Sequence, residues 1–340
     1  MIGVLCQAWP PPTWQGAKGW QAVVAYELIK AFRVLGVDAQ PVVWDAALPG
    51  REYALPAMNH AIVVTELARR AVNRGEEYSA ALRRMVDGQL CLYLDAPMVG
   101  FRGSFDQVFT GEDWPQDTDL GFRAKHDQFI PVGFGSDEHF HPEPKTGGPR
   151  RIVSQYPDIT LLQHFQEEWA IAQDVLMELS EDGWECVTLS YVAPWSSMDG
   201  IVVHAVDDPR AGQEGDPWMP LVGQECDKEL WHKWEGVGRY VPYHDLPAYF
   251  NRADVYLDLR GGALDLTRID AAYAGMTIVA HAKNWRQTVH GKLGSVEWST
   301  AEELYELITM PVDRYDNAIE ARQHTWCKVA LRMLEVLEGQ

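Results

Sequence analysis

The chain opens on an unbroken apolar run, Ile2–Cys6, the pattern of a strand covered on both faces. A loop rich in proline follows (Pro10, Pro11, Pro12, Thr13, Trp14, Gln15, Gly16). Then Val23, Val24, Tyr26, Leu28, Ile29, Phe32 and Leu35 recur at helical spacing, which predicts a helix over Gly19–Leu35 stopped by Gly36. Asp38–Trp44 alternates toward a second strand. This strand–loop–helix–strand order is the first unit of a right-handed, parallel α/β sheet. The rhythm continues with strands at His60–Thr65, Gln89–Asp95, Asp106–Thr110 and Gln128–Val132, and a helix at Tyr78–Met85. A second series predicts strand Arg151–Ser154, helix Glu167–Glu178 and strands Glu185–Tyr191 and Ile201–Ala205. Helix Leu246–Asn251, strand Asp254–Leu259, helix Leu266–Ala274 and strand Thr277–Ala280 follow, and one amphipathic helix over Asp316–Leu337 closes the chain. There is no repeat of solenoid period and no low-complexity tract. The expected division is a first α/β domain over 1–140, a second over 150–315, and a C-terminal crossover helix in 316–340.

Length and composition agree with two domains: 340 residues, 46% hydrophobic and 23% charged, the balance of a folded globular chain. The formal charge of −20 repels phosphate backbones and anionic membranes. That charge is unevenly spread, with 13 basic against 18 acidic residues up to residue 145 and 16 against 31 beyond it. The milder first half carries Arg69, Arg70, Arg74, Arg83 and Arg84, where a polyanion would bind, although a solvated helix face accounts for the same pattern. The five cysteines (Cys6, Cys91, Cys186, Cys226, Cys327) are scattered and never spaced C-x-x-C, as expected of reduced thiols in a cytoplasmic protein without a zinc site. No apolar run reaches the roughly 18–20 residues of a bilayer span.

The residue pattern suggests where chemistry resides. The turn Arg260-Gly261-Gly262-Ala263-Leu264-Asp265 leads into helix Leu266–Ala274, whose amino-terminal N–H groups and dipole suit an anion. Glycines allow backbone to approach a ligand closely, and Arg260 or Arg268 could neutralise phosphate; a plain strand-to-helix turn is the alternative. Asp95 ends an apolar run at the carboxyl end of a predicted strand, which suits a general base or merely a cap, and Glu66 is a second candidate. Trp14 and Trp20 could stack on a sugar or base, or belong to the core. Asp117-Thr118-Asp119 sits in a loop and His139/His141 lack a third ligand, so no metal site is expected. G-x-G-x-x-G after the first strand, G-x-x-x-x-G-K-[ST] and G-x-S-x-G are absent, which argues against dinucleotide oxidoreductases, P-loop enzymes and triad hydrolases.

Three segments in order resemble the GT-B glycosyltransferases, specifically the large, mostly retaining nucleotide-sugar group. Ile130–Pro144 (IPVGFGSDEHFHPEP) is similar to that family's interdomain sequence. The stretch beginning at Tyr240 and running through Gly275 is similar to its "G-x-V … A-D-V … E-A-M-A-x-G-x-P-V-V-A" region, and His324–Leu337 to its closing helix. The resemblance implies an α/β protein of two Rossmann-like domains facing each other across a cleft, with the C-terminal helix packing back toward the first domain. It implies a sugar transferred from a nucleotide-sugar co-substrate, a UDP-sugar first, to a hydroxyl of a saccharide or small molecule, with no cofactor required. Gly16, Lys18, Gly19, Tyr240, Val241, Arg260, Gly261, Gly262, Leu266, Thr267, Arg268 and Asp270 are the implied donor contacts, with Asp270 on the ribose hydroxyls; Asp95, from its place at the end of a strand, is the candidate catalytic base of an inverting course, whereas in retaining members of the family the leaving phosphate assists instead. Two departures stand out: Gly262 occupies the place of the family's first glutamate, and Ser154–Thr160 (SQYPDIT) lacks its usual Arg and Lys, leaving Lys18, Arg260 or Lys283 as the cation. A phage-type enzyme acting on hydroxylated DNA bases and a GT-B-like module without activity remain as alternatives.

Overall fold

The computed structural model describes residues 1–6, 20–43, 57–64, 75–94, 105–111, 129–136, 138–144, 148–155, 166–190, 202–205, 246–258, 266–281, 296–310 and 314–339. In chain order the first lobe contains β1 (Ile2–Cys6), α1 (Trp20–Val34), β2 (Ala39–Val43), β3 (His60–Val64), α2 (Gly75–Arg83), β4 (Leu90–Leu94), β5 (Gln107–Thr110) and β6 (Phe129–Pro131). The six strands form one parallel sheet in the order β2-β1-β3-β4-β5-β6. The second lobe contains β7 (Arg151–Gln155), α3 (Gln166–Glu181), β8 (Glu185–Ser190), β9 (Val202–Ala205), α4 (Leu246–Phe250), β10 (Val255–Asp258), α5 (Leu266–Tyr273), β11 (Thr277–His281), β12 (Val296–Trp298) and α6 (Ala301–Thr309). Its parallel sheet has the order β12-β11-β10-β7-β8-β9, the Rossmann arrangement with its reversal between β7 and β10. Helices α7 (Arg314–Ala321) and α8 (Trp326–Leu337) end the chain.

Both sheets are covered on both faces, which is why their strands read as continuous apolar runs. In β1, Ile2, Val4 and Cys6 pack with α1, while Leu5 joins the opposite core with Leu82 of α2. The second sheet divides likewise: Tyr256 and Ile278 face α5, whereas Val255, Leu257 and Val279 face α3 and α6. One apolar cluster is continuous from α1 through Val132, Phe134 and Phe140 of the linker to α5 and α8. Helix α8 buries Trp326, Val329, Ala330, Met333 and Leu337 at helical spacing and packs on α1, back against the first lobe. No helix among the described residues is long and apolar enough to cross a membrane.

The expected single helix over Asp316–Leu337 is in fact two. Thr325 is extended (φ −99°, ψ 153°) and its side chain accepts the Lys328 N–H, so it caps a new helix instead of continuing the old one. The preceding carbonyl, His324 O, accepts from Ser136 N–H and from Tyr273 OH. β12 and α6 are not among the expected elements, although Ala301, Leu304, Tyr305 and Ile308 give α6 an apolar stripe at helical spacing. β12 has only three residues; α6 is marked by Thr300, whose hydroxyl accepts the Glu303 N–H, while the Glu303 carboxylate accepts the Ser299 N–H. Its other end is held by Arg150, whose guanidinium donates to the carbonyls of Ile308, Thr309 and Met310 and stacks 4.1 Å from the Trp184 ring.

The linker between the lobes is tied down at each step. Tyr93 OH donates to Gly133 O (2.9 Å), and the Tyr93 and Phe134 rings meet edge to face. Asn251, at the end of α4, donates to His139 O and accepts the His141 N–H, and its amide nitrogen also lies 3.5 Å from His141 Nδ1. A Cβ on Gly135 would lie 2.2 Å from Trp326 N, backbone against backbone. Gly135→Ala is therefore expected to cost about 3 kcal/mol or more, since neither strand of chain can yield. Urea denaturation followed by tryptophan fluorescence reads it; an unchanged midpoint would refute the tight crossing.

Candidate functional site

The carboxyl edge of the second sheet, where strand order reverses, is where ligands bind in sheets of this kind. There β10 ends in Asp258, paired in register with Gln155 at the end of β7. The connection leaving Asp258 returns as α5, whose amino-terminal N–H groups have no partners within the helix. Leu266 opens α5 and Thr267 follows, 1% exposed, with its Oγ1 buried and lacking a hydrogen-bond partner among the described residues. A buried hydroxyl left in that state next to a helix amino terminus fits an anionic group of a ligand.

Arg268 is turned toward the end of β10. It is 3% exposed and its Nε forms an ion pair with the carboxylate of Asp258, itself 2% exposed. Its charge is thus matched inside the lobe, and the pair pins the first turn of α5 to the end of β10. Asp270, two residues further, has no exposed surface; Ser136 Oγ–H in the interdomain linker donates to its Oδ1 at 2.5 Å. Asp258 and Ser136 were not expected from sequence. The signal for Asp258 was present, a carboxylate ending the apolar run VYL, the same cue that singles out Asp95.

The first sheet presents its own carboxyl edge. Cys6 ends β1, and burial pushes its thiol up to about 12, so it is no nucleophile at neutral pH. Asp95 directly follows β4, and Gly16, Lys18 and Gly19 belong to the connection from β1 to α1; these residues, with Glu66, lie outside the described ones. So do Trp14, Asp117, Asp119, Tyr240, Val241, Arg260, Gly261, Gly262 and Lys283. Among the described residues no group of His, Cys, Asp and Glu side chains is arranged to hold a metal ion. In the arginine-rich stretch, Arg83 is committed to Asp106 and to Gly88 O, and Arg84 is exposed.

No protein-family model matches the sequence, and no curated protein matches it. Solved structures do match, over nearly the whole length. Sucrose-phosphate synthase from Thermosynechococcus elongatus is 12% identical with a TM-score of 0.57, covering 99% of this chain and 98% of its own. WaaG, a glycosyltransferase involved in lipopolysaccharide biosynthesis, is 9% identical with a TM-score of 0.50 and full coverage of both chains. AviGT4, a glycosyltransferase involved in avilamycin A biosynthesis, is 10% identical with a TM-score of 0.50, covering 100% of this chain and 98% of its own. The fold is GT-B. In GT-B terms the two parallel sheets are the two Rossmann-like lobes, and α8 is the helix that returns to the first.

Two outcomes follow. Asp258→Asn removes a carboxylate from the buried Arg268 guanidinium, an expected cost of about 3 kcal/mol; replacing both by apolar residues (Asp258→Leu with Arg268→Met) recovers most of it. Equal stability of the single and double variants in chemical denaturation would refute the pairing. His324 is half buried and lies near Lys328 and Arg332, so desolvation first and these cations second hold its pKa below 6.5. With the folded pKa lowered, the contribution of His324 is complete above the unfolded value of about 6.5 and is lost as pH falls toward the folded one. His324→Asn keeps the backbone carbonyl and is expected to flatten the fall in Tm as pH drops below the ordinary imidazole value of about 6.5; an unchanged slope would exclude this group as a source.

Proposed function

We propose that this chain is a glycosyltransferase that moves a sugar from a nucleotide-sugar donor, a UDP-sugar first, to a hydroxyl of a saccharide or small molecule. The observation that carries the reading is Thr267: a buried hydroxyl without a partner among the described residues, on the first turn of the helix that a GT-B fold delivers to the reversal point of its second sheet. The diphosphate is assigned to the α5 amino terminus and the Thr267 hydroxyl, with cationic help from Lys18, Arg260 or Lys283, because Arg268 is matched by Asp258. Tyr240, Val241, Arg260, Gly261 and Gly262 are assigned to the nucleotide side, and Gly16 and Gly19 to donor contacts from the first lobe. Asp270 is assigned to the ribose hydroxyls through Oδ2, its Oδ1 being committed to Ser136.

In the reaction the bond from the anomeric carbon to the phosphate oxygen breaks, and the acceptor oxygen forms the new glycosidic bond. The acceptor proton passes to Asp95 in an inverting course, or to the departing phosphate in a retaining one. Closing the cleft keeps out water, which competes with the acceptor for the sugar. A second reading, a GT-B module that binds without transferring, is favoured by Gly262 in place of a carboxylate and by the internal matching of Arg268. Slow hydrolysis of a nucleotide sugar by the wild type, lost in Asp270→Ala, separates the two.

UDP at one hundred times its Kd is expected to stabilise the fold by about 2.7 kcal/mol, visible as a raised Tm. Thr267→Val removes the orphaned hydroxyl at equal volume. It is expected to leave the unliganded Tm unchanged or higher, while weakening UDP by about 0.5–1.5 kcal/mol. A panel of nucleoside diphosphates without any shift would overturn the donor assignment, and unchanged UDP affinity in Thr267→Val would remove that residue from it.

A further inference from the structure

The chain passes between the lobes twice, once through the linker that joins β6 to β7 and once through residues 322–325 between α7 and α8. Both crossings are bonded to one helix of the second lobe. Ser136 Oγ–H in the first crossing donates to Asp270 Oδ1 of α5, and Tyr273 OH, three residues along the same helix, donates to His324 O in the second (3.1 Å). The crossings are also bonded to each other: Ser136 N–H donates to the same His324 O (3.2 Å), and Ser136 pairs with Thr325 as an isolated parallel bridge. Residues at i and i+3 share a helix face, so α5 presents both of its partners to one spot.

Ser136 therefore makes two different connections at once, by its backbone to the second crossing and by its hydroxyl to α5. Its side chain and that of Asp270 are buried, so water offers no replacement for the bond. The backbone pairing does not depend on the side chain at 136, proline excepted. The hydroxyl bond does, and it is the link by which this position holds the second lobe.

We propose that Ser136, Asp270, Tyr273 and His324 form a three-way latch that sets the angle between the two lobes, with the Ser136 hydroxyl as its removable bolt. The latch differs from the hydrophobic packing around it in being directional. Apolar contacts tolerate sliding, whereas two hydrogen bonds to neighbouring turns of one helix fix its rotation against the crossings. The proposal does not rest on the donor assignment, and its test needs no nucleotide.

Small-angle X-ray scattering of the full chain tests it, with Tm from circular dichroism showing that each variant is folded at the working temperature. The wild type is expected near a radius of gyration of roughly 20 Å for its length. Ser136→Ala is expected to raise that radius and broaden the pair-distance distribution, and Ser136→Thr, which keeps a hydroxyl, to restore the wild-type curve. Tyr273→Phe keeps the packing and removes the other bond, so it is expected to loosen the pair in the same way and serves should Ser136→Ala fail to fold. Superimposable scattering from wild type and a folded Ser136→Ala or Tyr273→Phe overturns the latch. Loosening by Ser136→Ala that Ser136→Thr does not reverse also overturns it, since bulk and not the hydroxyl would then be responsible.

Discussion

The apolar cluster that runs unbroken from α1 through Val132, Phe134 and Phe140 to α5 and α8 is the constraint on which the rest depends. Two Rossmann-like lobes with separate cores would meet as loosely as most domains in one chain do. Here α8 lies on α1 while the break before it is bonded to α5, so the last helix of the chain belongs to both lobes. Local features give way to that arrangement. The helix expected to run through to Leu337 is interrupted at His324 and Thr325, where carbonyl and hydroxyl are used by neighbours, and a Cβ on Gly135 would lie 2.2 Å from Trp326 N.

The second lobe handles charge in an economical way at its carboxyl edge. A buried ion pair such as Asp258–Arg268 contributes little net stability, because desolvating both groups offsets most of their attraction. What it supplies is position, since α5 cannot rotate without separating the two charges. The same helix that holds this pair holds Asp270 against the linker, so its amino terminus is fixed from the sheet side and from the crossing side. A helix end used for an anion gains from such preorganisation, because the N–H groups are already aimed before charge arrives.

Much of this fold was legible in the sequence. Strands buried on both faces write themselves as apolar runs, and β1, β3, β4, β10 and β11 were read within a residue or two of their observed ends. Helices with a one-sided stripe, α1 above all, were equally plain. What was hidden depends on distance along the chain. Ser136 and Asp270 are separated by 134 residues, and no local pattern announces that one donates to the other. The pairing of Arg268 with Asp258, ten residues away on β10, is likewise invisible to spacing alone. β12 escaped because three residues carry no period, whereas α6 is legible both from the stripe Ala301, Leu304, Tyr305 and Ile308 and from its Thr300 cap, although it is not among the expected elements.

Arg150 shows how specific such unobtrusive positions can be. One planar group reaches three main-chain oxygens at the end of α6 while lying flat on an indole. An ammonium has neither the breadth for the first task nor the flatness for the second, so lysine is no substitute at the entrance to β7. The edge of the second lobe is accordingly closed by a single fork-shaped side chain, where a glycine turn would have served had the helix ended in open water.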